Sequence, residues 1–462
     1  MKTSVVVLCK ALFLLTIFCS SHAFAQDDSL FAEGFEPSDD DDLFADTEDE
    51  EARDESKFSS SFIVYARNYS LFGTAIMRDG SEDGALVHED IGIIVERIRP
   101  SLSVWWNDVV GLEAAWDIIP LVGSGVGTGQ GFSSLAVQNV GIRTLRLWDF
   151  DAALYSPTSG GWAVSHNLDR LNLKLGKADF SVQIGRQAFG HGSARMFPAT
   201  DMFSPFGPGT IDTEFKRGVD GLRISKTLGE FHELEAYIIA HQPVEGEHID
   251  LEQWMYIMRW RGVFPDLFDI SLFAGSSYAR PTAGIDLSTS VAGAAVYGES
   301  AVRFATQEQE RTSVQATMGV DYRWESGLST IAEVYYNNLG SKPPFTELFV
   351  NPSLARQVGE LNYLGSWYAG LSMGYNWELL GIGGGYIQNL QDGSMLLTGN
   401  LSYDFAENVS VGLGALVPVG KLMIRHESSA SLADAGIPYT YEPRSDFGLF
   451  PTLVFADVRF AF

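Results

Sequence analysis

Arginines and carboxylates recur along this chain at alternate positions between apolar neighbours, a spacing suited to sorting ions rather than making bonds. Arg259 and Arg261 interleave with Met258 and Trp260, Asp321 and Arg323 with Val320 and Tyr322, and Asp457 and Arg459 with Val458 and Phe460. An extended chain sends successive side chains to opposite faces, so each charged pair shares one face. Arg170, Arg223, Glu235, Glu333 and Asp404 take the same phase in their own segments. Arg186, Arg195, Lys216 and Arg217 join them from segment ends, opposed by Asp201, Asp212 and Glu214. Guanidinium groups grip carboxylates and phosphates with two parallel bonds. Facing rows of opposite sign set up a transverse field that orders water and favours polar solutes. Most of these charges are expected to satisfy one another across a wall, while the Arg259/Arg261 pair leans towards anions.

Catalytic chemistry finds little support. His191 and Ser193 are the one suggestive pair, and residues two apart on a loop rarely form a dyad, which needs a third group and defined geometry. His241 and His248 stand apart without zinc-ligand spacing. The Asp39–Asp42 run lacks the Gly-turned spacing of a dedicated calcium loop. No phosphate-binding glycine loop is present. The expectation is a non-enzyme with no cofactor and no metal.

Strands must position the charges. In Thr398–Phe405, Gly399, Leu401, Tyr403 and Phe405 form one face, and Thr398, Asn400, Ser402 and Asp404 the other. Val409–Val417 and Val314–Trp324 alternate in the same way. So does the C-terminal Pro451–Phe462, where Val454, Ala456, Val458, Phe460 and Phe462 oppose Asp457 and Arg459. Period two over such lengths fits tilted strands crossing a bilayer. Short turns recur near 107–109, 176–178, 228–231, 262–266, 325–327, 378–380 and 406–408. Aromatics end the strands entering several of them: Trp106, Trp260, Trp324, Trp377 and Phe405, with Phe462 ending the last. Such rings favour the membrane interface. The fold expected is all-β, a transmembrane antiparallel β-barrel of about sixteen strands (14–18), the first near 58–68. Segments 142–154 and 290–303 also look strand-like, and either would raise the count to eighteen. About sixteen strands leave an aqueous lumen.

The ends of the chain suggest its compartment. Lys2 and Lys10 flank an apolar run from Val5 to Phe18, followed by Ala23-Phe24-Ala25, which reads as a signal peptide over residues 1–25. Both cysteines, Cys9 and Cys19, fall within it, so a processed chain has no disulfide. Residues 26–57 hold 15 Asp or Glu against Arg53 and Lys57, a composition expected to stay disordered. The echoes Leu30-Phe31-Ala32-Glu33 and Leu43-Phe44-Ala45-Asp46 make this arm a candidate docking segment for a periplasmic partner. The total formal charge of −28 disfavours nucleic acid. Residues 58–462 remain for the barrel, with outer-membrane lipid, small polar solutes and, through terminal Phe462, the barrel-assembly machinery as expected partners. The function expected is passive diffusion of small polar or anionic solutes across the bacterial outer membrane. The arm keeps a second reading open: a structural or interaction barrel serving as partner sleeve, receptor or adhesin.

One loop stands out. Residues 188–218 are rich in Gly and Pro, and Phe197, Phe203 and Phe206 could anchor them. Gly185-Arg186-Gln187, then Gly190-His191-Gly192, then Asp201-Met202-Phe203-Ser204-Pro205, then Gly218-Val219-Asp220-Gly221-Leu222-Arg223 resembles the alginate-export and related porin-like barrels of Gram-negative bacteria. The resemblance covers about 40 of 462 residues. It implies a barrel pore with a folded-in loop and transport of a polar or anionic solute.

Overall fold

In a computed structural model the alternating segments pair edge to edge until the sheet meets itself. The structure describes residues 58–462 apart from 79–85, 124–144, 148–151, 156–160, 204–205, 208–209, 242–249, 308–309, 344, 346–362, 423, 428–438 and 443. Signal-like residues 1–25 and the acidic stretch 26–57 lie outside the described residues.

The strands are β1 (Phe58–Arg78), β2 (Leu86–Trp106), β3 (Val110–Gly123), β4 (Ala152–Tyr155), β5 (Trp162–Lys177), β6 (Phe180–Gln187) and β7 (Val219–Thr227). Next come β8 (His232–Ile239), β9 (Met255–Phe264), β10 (Phe268–Ser277), β11 (Arg280–Val291), β12 (Ala294–Arg303), β13 (Ser313–Arg323) and β14 (Leu328–Asn337). Then follow β15 (Trp367–Trp377), β16 (Leu380–Asn389), β17 (Met395–Ala406), β18 (Val409–Val419), β19 (Ile424–Glu427), β20 (Tyr439–Glu442) and β21 (Thr452–Ala461). Neighbours pair antiparallel, and β1 pairs with β21 from Tyr65↔Ala461 to Thr74↔Thr452, closing the cylinder. Short β4 adds to the loop end of β5, and β19 with β20 makes a separate hairpin.

The wall has 18 strands, so the expected sixteen is corrected. The strand-like segment 290–303 does belong to the wall: it holds the end of β11 and all of β12, and their hairpin makes eighteen. Its turn is only Ala292-Gly293, both at positive φ (52° and 80°), the backbone of a tight two-residue hairpin. The first strand also runs to Arg78, well beyond 68.

Eight turns at one end are two to four residues long, while the other end carries longer connections apart from the two-residue turn Tyr278-Ala279. Trp106, Trp324, Trp377 and Phe405 stand at the short-turn end with 61%, 50%, 62% and 74% of their surface exposed. Trp260 there stacks on His232, and the Phe462 backbone pairs with Val64 in both directions. Outward positions such as Met318, Leu413, Leu401, Ile382 and Leu272 are exposed apolar side chains. The buried core instead faces inward in clusters around Phe197, Phe203 and Tyr69. With oily positions outside and a polar-laced interior, the usual inside-out sense of a globular protein is inverted.

Candidate functional site

The loop 188–218 leaves the end of β6 and lies inside the cylinder, held at three places. The first is a pair of carboxylates on the far wall. Glu333 of β14 accepts the backbone N–H groups of Arg195 (2.6 Å), Met196 (3.0 Å) and Phe197 (2.9 Å), plus the Tyr297 hydroxyl (2.7 Å). Glu299 of β12 accepts the N–H groups of Ser193 (3.0 Å), Ala194 (3.4 Å) and Thr200 (3.1 Å) and the Thr200 hydroxyl. Ser193 donates to Asp286 of β11 and Thr317 to the Phe197 carbonyl, both at 2.5 Å. Successive N–H groups turned to one side make a concave anion seat, filled here by a wall carboxylate. Gly192 permits it: its φ is +99°, and a Cβ there would lie 2.1 Å from Glu299 Oε2.

The second hold is aromatic. Phe197 stacks on Tyr335 (5.4 Å, 11°) beside Tyr363 and Tyr368. Phe203 packs against Phe189, His191 and Tyr237. Phe206 is half-buried. Burial, with Arg259, Arg223 and Lys216 nearby, holds His191 well below its ordinary range, so its imidazole is neutral.

The third hold is a buried lattice of charge on β1, β2, β3, β5 and the returning half of the loop. Asp212 bonds Arg97 at 2.9 Å and lies 3.5 Å from Arg67, which also reaches Asp457 at 3.1 Å. Asp117 takes Arg97 and Arg99, and Asp169 takes Arg99, Arg146 and Arg170. A register shift between β3 and β5 lets Asp169 and Arg170, adjacent in sequence, enter the same lattice. Phe215 lies under the guanidiniums of Arg99 (4.3 Å) and Arg97 (5.1 Å). Burial alone would raise the Asp212 carboxyl, but Arg97 and Arg67 outweigh it and hold it below the usual carboxylate range.

The expected site residues separate by partner. Arg186 is buried against Asp220 (2.7 Å), Asp201 against Lys216 (2.7 Å), and Arg223 and Arg259 share Glu235 (2.8 and 3.1 Å). Asp457 lies between Arg67 and Arg459, and Glu333 pins the loop. These charges satisfy one another. Arg195 differs: it sits on the inner loop, its side chain is exposed, and no ion pair holds it among the described residues. Arg261 and Arg323 are likewise exposed and unpaired on the inner face nearer the short turns, and Asp321 is half-buried. Reading by phase missed Arg67, Arg97, Arg99, Asp117, Arg146 and Asp169. The alternating Arg97/Arg99 pair was visible, but partners such as Asp212 are more than a hundred residues away. Among the described residues no group of three His, Cys, Asp or Glu could hold a metal ion.

Comparison with solved structures places the fold. OccAB4 of Acinetobacter baumannii aligns over 87% of this chain and 98% of its own, with 9% identity and a TM-score of 0.51. OccK9 (OpdG) of Pseudomonas aeruginosa aligns over the same shares at 8% identity and a TM-score of 0.49, and OccK5 (OpdH) of that species at 9% and 0.49. What the chain shares with OccAB4 is the barrel fold. No protein-family model and no curated protein matches the sequence. A closed barrel satisfies every wall hydrogen bond without water, and its apolar outer belt with an aromatic rim is made for lipid. The chain is a closed antiparallel β-barrel whose outer face is suited to lipid.

Proposed function

We propose that this barrel is a channel for passive diffusion of small polar or anionic solutes, with loop 188–218 as its constriction and the short-turn end in the periplasm. One observation supports this most: a loop pinned across the lumen leaves Arg195 as an exposed, unpaired cation on its inner surface. Almost every other charge on the loop itself is neutralised by a neighbour. Arg195 is the exposed cation above wall carboxylates Glu333 and Glu299, which are buried under the loop, and half-buried Asp286. A fixed cation at a narrow point attracts anions and raises a barrier to cations. Arg261 and Arg323 continue positive charge towards the short-turn end, although Glu233, Asp269 and Asp321 share that stretch of wall. The preference expected is therefore modest. Nothing among the described residues favours the partner-sleeve, receptor or adhesin reading.

The test is the reversal potential of the purified barrel in a planar bilayer under a salt gradient. Wild type should favour the anion, and Arg195→Glu should reduce or reverse the preference while leaving the folded barrel intact. An unchanged reversal potential in that variant would remove Arg195 from the selective step.

A further inference from the structure

The lipid-facing surface carries one feature that diffusion through the lumen does not use. Away from the strand ends, its described outward side chains are apolar, Gly, Pro or uncharged polar, except Glu96 and His166. Glu96 pairs in register with Asn68 of β1, whose side-chain amide donates to it at 3.3 Å. His166 of β5 stacks on Trp116 of β3 (5.6 Å, 28°), and its Nδ1 is buried without a hydrogen-bond partner. The two lie close together, since Ile98 pairs with Ile118 and Ile118 pairs with His166, two positions along β2 from Glu96. They also stand at comparable distances from Trp106 and Lys177, the short-turn ends of their strands.

An ionisable side chain facing hydrocarbon is costly and persists where something pairs with it. Among the described residues the nearest complement of Glu96 is an amide, and His166 has a ring face but no acceptor. The surroundings mix small outward side chains (Ala66, Ser70, Gly92, Ala114 and Ala456) with exposed apolar ones (Phe72, Ile94, Leu102 and Trp116), an uncharged frame around the two ionisable groups. A two-fold axis along the membrane normal places residue i of one copy on residue j of the other, and j on i. A carboxyl and an imidazole at one height, able to hydrogen-bond each other, meet that condition twice.

We infer that the wall formed by β1, β2, β3 and β5 is a docking surface for a second copy of this chain, with Glu96 of each copy facing His166 of the other across a two-fold axis. The occupant is identified by complementarity, because a lipid acyl chain offers neither a hydrogen-bond donor nor an acceptor. Conduction through each lumen does not depend on this contact, so the inference stands apart from the channel reading.

The test is native mass spectrometry of the full processed chain in lipid nanodiscs, with heat-modifiable gel mobility as the check that each variant is folded. Wild type should appear as a dimer. Glu96→Gln and His166→Asn should each weaken association about tenfold or more, the scale of a lost buried hydrogen bond. The exchanged variant, Glu96→His with His166→Glu, should restore the dimer, which a merely structural role would not. A folded wild type that stays monomeric or forms trimers overturns the inference. So do dimers that persist undiminished in both single variants, or an exchanged variant no better than they are.

Discussion

Substituting Glu333→Gln changes one oxygen of the latch into an amide nitrogen without changing its shape. Two donors face each carboxylate oxygen: Arg195 N–H and the Tyr297 hydroxyl at Oε1, and Met196 and Phe197 N–H at Oε2. With NH2 at the Oε2 site, Met196 and Phe197 N–H lose their acceptor. With NH2 at the Oε1 site, Arg195 N–H loses its acceptor while the Tyr297 hydroxyl turns to accept. Hydrogen bonds to a charged group contribute about 1.5–3 kcal/mol each, so the docked loop loses about 1.5–6 kcal/mol at this point. At about 1.4 kcal/mol per decade, the displaced loop becomes roughly tenfold or more populated. Glu299 and the Phe197–Tyr335 stack remain, so the loop still docks most of the time. The expected single-channel record is a noisier open state with excursions to higher conductance, against a quiet wild type. Glu333→Gln traces matching wild type in conductance and in noise would refute the idea that this carboxylate holds the constriction.

Other consequences follow from the same contacts. Asp212→Asn strips Arg97 and Arg67 of a shared buried carboxylate, and breaking such a pair costs about 3–5 kcal/mol; a lower unfolding temperature in detergent should show it. Gly192→Ala should disturb the loop, because a Cβ there meets Glu299 Oε2, whereas Gly393→Ala, also at positive φ but with nothing within 4 Å, should leave conductance unchanged. His191 is held below its ordinary pKa when docked, so the undocked loop binds the proton more readily. Docking therefore loses stability as pH falls below about 6.5, by up to about 1.4 kcal/mol per pH unit until the docked pKa is reached. Open-state noise should rise between pH 7 and 5 in wild type, and less so in His191→Gln.

Much of the architecture was legible in residues. Period-two segments such as Thr398–Phe405 and Val409–Val417 fall inside strands, and Trp106, Trp324, Trp377 and Phe405 mark the short-turn end. Segment 290–303 was legible as strand-like and holds β12 with the end of β11, which makes the count eighteen. The start of β11 was harder to see because the turn before it has no glycine or proline. Tyr278-Ala279 turns at φ 54° and 60° without a glycine, and Ala292-Gly293 carries no Pro, Asn or Asp. The site was half legible. Inward phase located Arg259, Glu333 and Asp457, but phase cannot say which charges are neutralised. Glu333 reads as a pore charge in sequence, yet in the structure it is spent on loop N–H groups. Arg97 and Asp212, 115 residues apart, meet through tertiary folding alone.

The most direct test of the central claim is the current through a planar lipid bilayer after addition of the purified, processed chain. The account predicts discrete, uniform upward steps, each an open water-filled lumen narrowed by an inward loop. A folded barrel that inserts into the bilayer and yet passes no steps at any voltage or salt concentration would contradict it.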